Sequence, residues 1–404
     1  MLNAAHKAIV TATVPLLEVG GEALTTHFYR MLLDEHPEVR PMFNQANQVS
    51  GEQPRALANG VLMYAKHIDR LEALGDLASQ IVQRHVALQI LPEHYPIVGG
   101  CLLRAIREVL GAEVATDAVI EAWGAAYGQL ADMLIGAEAA EYERKAKAPG
   151  GWRGARAFRV AHKQIESAEI ASFYLEPVDH QPVLDFAPGQ YIGLRLSVDG
   201  LDARRNYSLS AAPNGRSYRI SVKREARGVV SNYLHDHVQV GSEVELFAPS
   251  GGFTLTTNAR PLVLISGGVG ITPTLAMLEA ALVQTPARTV RFIHCARSHE
   301  VHAFRAVIDT LAERHSNLER YYCYDQAPTG TSLEPEAAPH AVGRIDAKIL
   351  AQWVPEAVDG VLDIDAYFLG PKPFMRQIRR SLRTLGVPDR QARYEFFGPA
   401  SSLD

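Results

Sequence analysis

At Ala148-Pro149-Gly150-Gly151-Trp152 the repeat of apolar residues changes, and no single fold layer can hold both sides of that change. Upstream the spacing is helical. Leu24, Phe28, Met31 and Leu32 line one side of a helix bracketed by Gly20-Gly21 and Pro37, and a short segment follows to Phe43. Further helices are predicted over 52–67, 74–90, 92–110 and 117–146, the last stepping through Ile120, Trp123, Tyr127, Leu130 and Leu134. No β-branched alternation interrupts them. Residues 1–147 therefore read as an all-α domain of six to eight helices, whose packing the periodicity leaves open.

Past the linker, 148–154, the period becomes two. Phe158–Val160, Ile170–Leu175, Tyr191–Leu196 and Tyr218–Val222 are strands separated by turn residues such as Pro188-Gly189 and Asn214-Gly215. Closely spaced antiparallel strands predict a small β-barrel over 155–260, with its last strand ending near Ala259. From Leu262 the rhythm is strand, glycine loop, helix, strand, helix. Leu262–Ile265, Val290–Ile293 and Tyr321–Tyr324 read as buried parallel strands, with helices at 273–284 and 300–314 between them. A surface loop over 326–343, a strand Tyr367–Leu369, a helix at 372–385 and a last strand Ala392–Phe396 complete an α/β domain, 261–404.

With 404 residues the chain is long enough for two or three cores. Its 47% apolar and 21% charged content is ordinary for a globular protein. A net charge of −5 leaves no basic field, so no nucleic-acid partner is expected. Cys101, Cys295 and Cys323 are scattered and offer neither a disulfide framework nor a CxxC metal site, as in a reducing cytosol. Lys7 followed by Ala8 to Leu17 faintly suggests a signal peptide. Pro15 and Glu18 interrupt it, no cleavage site is evident, and no run of eighteen apolar residues exists; a cytoplasmic chain with no membrane span is expected.

Five stretches carry chemistry. In Gln83 to Val98, Ile81, His85 and Leu88 recur at helical spacing, and Pro92 marks where a new helix would present Tyr95, Val98 and Leu102 on one face. An inward His is either a hydrogen-bonded core residue or a metal ligand. Gly267-Gly268-Val269-Gly270-Ile271-Thr272-Pro273 follows a strand and opens a helix, so its backbone N–H groups can meet a pyrophosphate; a bare glycine turn is the alternative. Arg205-Asn206-Tyr207-Ser208 lies on a barrel strand, and Gly228-Val229-Val230-Ser231 precedes a helix. Glu395-Phe396-Phe397-Gly398-Pro399 closes the chain, where an ordinary terminal strand is the other reading.

Together these stretches resemble the flavohaemoglobin family, in one domain order and over nearly the whole chain. The resemblance implies a globin-like haem domain followed by a ferredoxin-reductase-like module, an FAD barrel and a nicotinamide α/β domain, using haem b, FAD and NAD(P)H. It makes His85 the iron ligand, backed by Tyr95 and Glu138, with Arg84 and Val98 beside the haem. Phe43 packs on the porphyrin, and Tyr29, Gln53 and Leu57 stand on the distal side, with Tyr29 a donor toward the bound gas. In the reductase it implies Arg205 on the flavin pyrophosphate, Tyr207 and Tyr191 (after Gln190) against the ring, and Ser208 near the hydride-accepting nitrogen. Gly228 and Ser231 hold flavin phosphate, the 267–273 loop holds nicotinamide phosphate, and residues 395–399 cover the flavin edge.

Two positions depart from the family: Arg84 where lysine is usual, and Leu369, before Gly370-Pro371, where cysteine is usual. Arg297-Ser298 stand after the second parallel strand, where an acidic residue would favour NADH. The implied activity is nitric oxide dioxygenation: O2 and NO become nitrate with electrons from NAD(P)H. The alternatives are an oxygen-binding or redox-sensing protein with an attached reductase, or a flavin reductase with a non-functional globin. A monomer is expected; protein partners are not legible.

Overall fold

The computed structural model describes residues 2–43, 52–326, 338–356, 360–398 and 403, with the backbone alone for 52–56, Leu17 and Val19. The chain divides into two units, one of residues 1–156 with 193–206 and 398–401, the other of 157–192, 207–397 and 402–404.

In the first unit Asn3 caps helix α1 (Ala4–Glu35) by accepting from the His6 N–H at 2.8 Å. Its helical assignment is continuous, but the axis bends by 102° between Ala4–Leu16 and Gly20–Glu35, so a second segment starts at Gly20 as the glycine pair predicted. Val10, Leu24, Phe28 and Leu32 are buried along the two segments, and a Cβ on Gly21 would lie 3.6 Å from that of Ala58. A 3₁₀ turn (Pro37–Met42) leads on to α2 (Glu52–Lys66), α3 (Gly75–Leu88), α4 (His94–Leu110) and α5 (Asp117–Lys147). These follow the predicted ranges closely, except that α4 starts at His94 rather than Pro92. The Leu91 N–H donates to His94 Nδ1 at 2.8 Å and holds the intervening residues in a turn. Trp123 donates to Thr13 at 3.0 Å and ties α5 to α1 through a core that also holds Tyr64, Leu102 and Ile106.

Strands β1 (Arg156–Ile165), β2 (Ile170–Pro177), β3 (Tyr191–Val198), β4 (Leu201–Ser208), β5 (Tyr218–Lys223) and β6 (Glu243–Leu246) form one sheet in the order β4-β3-β6-β1-β2-β5. The β1–β2 and β2–β5 pairs are antiparallel. Helix α6 (Val229–Asp236) follows β5. The predicted α/β rhythm is then met by β7 (Leu262–Gly267), α7 (Ile271–Gln284), β8 (Val290–Ala296), α8 (Arg305–Arg314) and β9 (Leu318–Tyr324). After them come β10 (Ala341–Val342), α9 (Ala347–Trp353), β11 (Asp365–Leu369), α10 (Lys372–Thr384) and β12 (Ala392–Tyr394). The second sheet is ordered β10-β9-β8-β7-β11-β12, and its strand pairs are parallel.

Four details depart from expectation. Helix α8 begins at Arg305 instead of residue 300, because Phe304 holds a left-handed φ of 63° that no helix interior accepts. The last strand stops at Tyr394, short of Phe396. The supposed loop 326–343 contributes β10, while residues 327–337 lie outside the described ones. β6 and α9 were not anticipated; both are too short to show a period. Within the second unit, Arg219 donates to Glu279 at 3.2 Å, and Glu279 also accepts from the Ala212 N–H at 2.8 Å, joining β5 and the segment after β4 to α7.

Candidate functional site

His85 stands in the last turn of α3, which ends on Gln89 in a left-handed conformation, φ 57°. Its Nδ1 lies 2.7 Å from Glu138 Oε1 and 3.2 Å from the Tyr95 hydroxyl, and Tyr95 donates to that same Glu138 oxygen at 2.6 Å. Glu138 is 2% exposed and the His85 side chain 33%. Burial, and after it the hydrogen bond to Glu138, push the Tyr95 phenol far above its ordinary value, so it stays a donor. A carboxylate at Nδ1 selects the tautomer with its proton there and leaves the Nε2 lone pair available. Gly99 makes the site possible: a Cβ there would fall 2.4 Å from the Tyr127 ring, whose hydroxyl donates to the Tyr95 carbonyl at 2.7 Å. Tyr142 similarly holds the Ile90 carbonyl at 2.8 Å.

Phe28, Tyr29 and Phe43 form an edge-to-face series with centroid separations of 4.9 and 5.6 Å. Tyr29 is buried, burial raises its phenol, and its hydroxyl has no hydrogen-bond partner among the described residues. Phe43, Leu57, Ile81, Ile90, Ile97 and Val98 are apolar yet only half-buried, as lining side chains are before a flat apolar ligand covers them. Arg84 is half-buried on α3 beside the ligand. The Gln53 side chain lies outside the described residues. Among those residues no group of three His, Cys, Asp or Glu is placed to hold a metal ion. An imidazole engaged through Nδ1, a buried Tyr29 phenol and a half-buried apolar lining fit haem.

On β4, Arg205 donates to the neighbouring Arg204 carbonyl at 2.6 Å, Asn206 is exposed, Tyr207 is half-buried and Ser208 is buried. Tyr191 opens β3 and bridges to Ser250. Its ring lies where a Cβ on Gly251 would come within 2.8 Å, and Gly251 has φ 115°. Gln190 spans that turn, donating to the Gly251 carbonyl at 3.0 Å. Gly228 caps α6, and a Cβ there would strike Ser231 Oγ at 2.3 Å. The Ser231 hydroxyl is itself engaged, donating to the Gly228 carbonyl at 3.2 Å and accepting from the Glu225 N–H at 3.2 Å. It shapes this loop, which presents the backbone N–H groups of a helix start suited to a flavin phosphate.

The glycine loop leaves β7 at Gly267, turns through Gly268 at φ 55° and enters α7 at Ile271, with Thr272 bonded to the Val269 carbonyl at 3.0 Å and Pro273 in the first turn. A Cβ on Gly270 would sit 2.5 Å from the Leu369 carbonyl. β7 and β11 are therefore adjacent, and the sheet order reverses between them, the crevice where α/β sheets bind nucleotides. Leu369 itself is fully buried among Ile271 and Leu275, so the departure from cysteine fills core. Arg297 is paired with Glu169. At the C-terminus Glu395 and Phe396 are half-buried, Phe396 packs on Tyr394 at 5.6 Å, and Phe397 is 51% exposed. Gly398 has φ 148°, and Pro399 lies outside the described residues.

The fold and these sites define an oxidoreductase class, a globin joined to an FAD- and NAD-binding reductase. Family models agree: globin matches residues 26–134, the oxidoreductase FAD-binding domain 157–255 and the oxidoreductase NAD-binding domain 264–380. The flavohemoprotein of Pseudomonas putida is 64% identical over 404 residues, covering 100% of both chains. The flavohemoglobin structure from Malassezia yamatoensis, with bound FAD and heme, superposes with a TM-score of 0.84 at 26% identity, covering 98% of this chain and all of that one. The FAD/NAD-binding domain of nitric oxide dioxygenase from Vibrio cholerae superposes at 0.54 with 37% identity, covering 61% of this chain and all of that one. The chain belongs to the flavohemoprotein family, and its cofactors are haem, FAD and a nicotinamide nucleotide. No single helix among the described residues is long and apolar enough to cross a membrane.

Proposed function

We propose that the chain is a nitric oxide dioxygenase, taking electrons from NAD(P)H through FAD to haem and turning nitric oxide, oxygen and one electron into nitrate. The observation that carries this reading is the His85–Glu138–Tyr95 cluster. A buried carboxylate that accepts a hydrogen bond from the Nδ1–H of the ligand makes Nε2 a stronger electron donor, which suits activation of oxygen more than its reversible storage. The Vibrio cholerae relative, named a nitric oxide dioxygenase, supports it. Bound in these sites, the nicotinamide, flavin and haem would supply hydride, single-electron transfer and oxygen-activation chemistry respectively.

The protein's own groups do the rest. His85 would hold the iron through Nε2, with Glu138 and Tyr95 fixing the ring at Nδ1. Tyr29, buried and still protonated at neutral pH, donates toward charge that develops on the distal side. Arg205 would clamp flavin phosphate, Tyr207 and Tyr191 would face the flavin, and Ser208 would stand near its hydride-accepting nitrogen. The backbone N–H groups of 267–272 would hold nicotinamide phosphate, and an aromatic of the 395–399 segment would cover the flavin. A monomeric cytoplasmic enzyme belongs to the same proposal.

The test is nitric oxide consumption by the purified protein with NADH or NADPH, with and without oxygen. Rapid consumption dependent on both oxygen and nucleotide, with nitrate as product, supports the reading. Oxygen-independent consumption, or none, refutes it.

A further inference from the structure

Cys295 of β8 and Cys323 of β9 are directly opposed partners in a parallel register, and both are free thiols. Alternation along β8 turns Ile293 and Cys295 to the sheet face that packs Cys323, Ile345, Leu350 and Trp353, so both sulfurs lie on one side. Neighbouring strands run about 4.8 Å apart. That falls within the roughly 4.4–6.8 Å between Cα atoms that a disulfide spans. Cys323 is buried and donates to the Gly343 carbonyl at 3.2 Å, whereas Cys295 is half-buried. The Cys295 thiol is held well above its ordinary range by its contact with Cys323 and then by burial, while the same contact lowers Cys323. On its other flank Cys295 is opposed to Gly267, the first glycine of the nucleotide loop.

We propose that Cys295 and Cys323 are a reversible oxidation site for hydroperoxides, set in the strand ends beside the nucleotide loop. A hydroperoxide transfers one oxygen to the sulfur of Cys295, the less buried of the two residues, giving a sulfenic acid and releasing the alcohol or water. The Cys323 thiol then attacks that sulfur while giving up its proton, the S–S bond forms, and the displaced hydroxide leaves as water with that proton. Two thiols lose two electrons and two protons to one peroxide. Side chains side by side on parallel strands stand about 4.8 Å apart at Cβ, and a disulfide needs about 3.8 Å. Oxidation therefore pulls β8 toward β9 and away from Gly267 on its other side, loosening the strand pair that carries the nucleotide loop. This consequence rests on the nicotinamide reading of the loop; the bridge itself does not.

The holoprotein is treated with hydrogen peroxide, digested without reduction and analysed by mass spectrometry. Nucleotide use is followed separately as NADH–ferricyanide reduction, which bypasses the haem. A cross-linked peptide containing Cys295 and Cys323, lighter by two hydrogens and cleaved by dithiothreitol, supports the site. So does a KM for NADH raised about tenfold, as for loss of one hydrogen-bonded phosphate contact, and restored by the reductant. Cys295→Ser and Cys323→Ser are expected to keep their KM through the treatment, with Cys101→Ser responding as the unsubstituted protein does. Absence of the cross-link in the unsubstituted chain overturns the site whatever the variants do. A cross-link with unchanged KM overturns its coupling to the nucleotide.

Discussion

The Tyr95 hydroxyl lies 2.6 Å from Glu138 Oε1, the same oxygen that stands 2.7 Å from His85 Nδ1. Two donors from α3 and α4 thus converge on one carboxylate oxygen of α5. Glu138→Gln is expected to leave haem bound but remove the negative acceptor, so the iron–histidine stretching frequency of the ferrous protein falls in resonance Raman spectra. Tyr95→Phe frees that oxygen for His85 alone, and the frequency should rise. Equal frequencies in all three proteins would reduce Glu138 to a buried structural carboxylate.

Tyr29→Phe is expected to speed oxygen dissociation from the ferrous protein by roughly ten- to a hundredfold, the loss of a hydrogen bond of about 1.5–3 kcal/mol to a charge-bearing atom. Because the hydroxyl has no partner among the described residues, thermal stability should not fall. Stopped-flow kinetics and a melting curve on the same sample check both halves. A rate within about twofold of the unsubstituted protein excludes Tyr29 as the distal donor.

His85→Ala should abolish haem binding and leave NADH–ferricyanide reduction intact, since the reductase residues do not depend on that side chain. A normal Soret band in the variant would show that another group holds the iron.

Within the first unit, Arg204 donates to the Leu88 carbonyl at 2.8 Å. It thereby links the residue before the Arg205–Ser208 motif to the helix end that carries His85. Arg204→Ala is expected to slow haem reduction by NADH while FAD content and ferricyanide reduction stay unchanged. Arg205→Ala should lower both electron outputs through weaker flavin binding. The two variants behaving alike would show that Arg204 acts on the flavin instead.

Burial pushes the Lys145 ammonium down to about 8, with Glu141 at 3.5 Å as counter-charge. Between that value and the ordinary lysine range the unfolded chain binds the extra proton, so this residue's contribution to stability rises with pH from about 8 to 10.5. Below pH 8 its burial is a net cost. Glu141 keeps Arg144 at 2.7 Å and Gln83 at 3.2 Å without it. Lys145→Met should therefore stabilise the fold at pH 7 by about 1–2 kcal/mol. The gain should vanish near pH 10.5, as read from denaturant midpoints at the two pH values. A loss of stability at pH 7 would mean that the ammonium's contacts outweigh its desolvation.

What was legible in the sequence is what neighbouring residues encode. The change of period at residues 148–154, the glycine loop after a strand and the Arg205–Ser208 run each specify a local backbone or a local set of groups, and each is where the reading put it. His85 was singled out by its helical stripe and by resemblance. Which carboxylate serves it was not legible from residues alone: Glu138, Glu141 and Glu143 look alike on one helix, and only packing of α5 against α3 buries the first beside His85 while leaving Glu143 exposed. The late start of α8 was set by one residue's φ. The Cys295–Cys323 pair, 28 positions apart and apparently scattered, exists only because the β8–β9 register places the two thiols opposite each other. Register is a long-range choice: a shift of one residue would turn either thiol to the other face, and nothing in the spacing of cysteines along the chain records it.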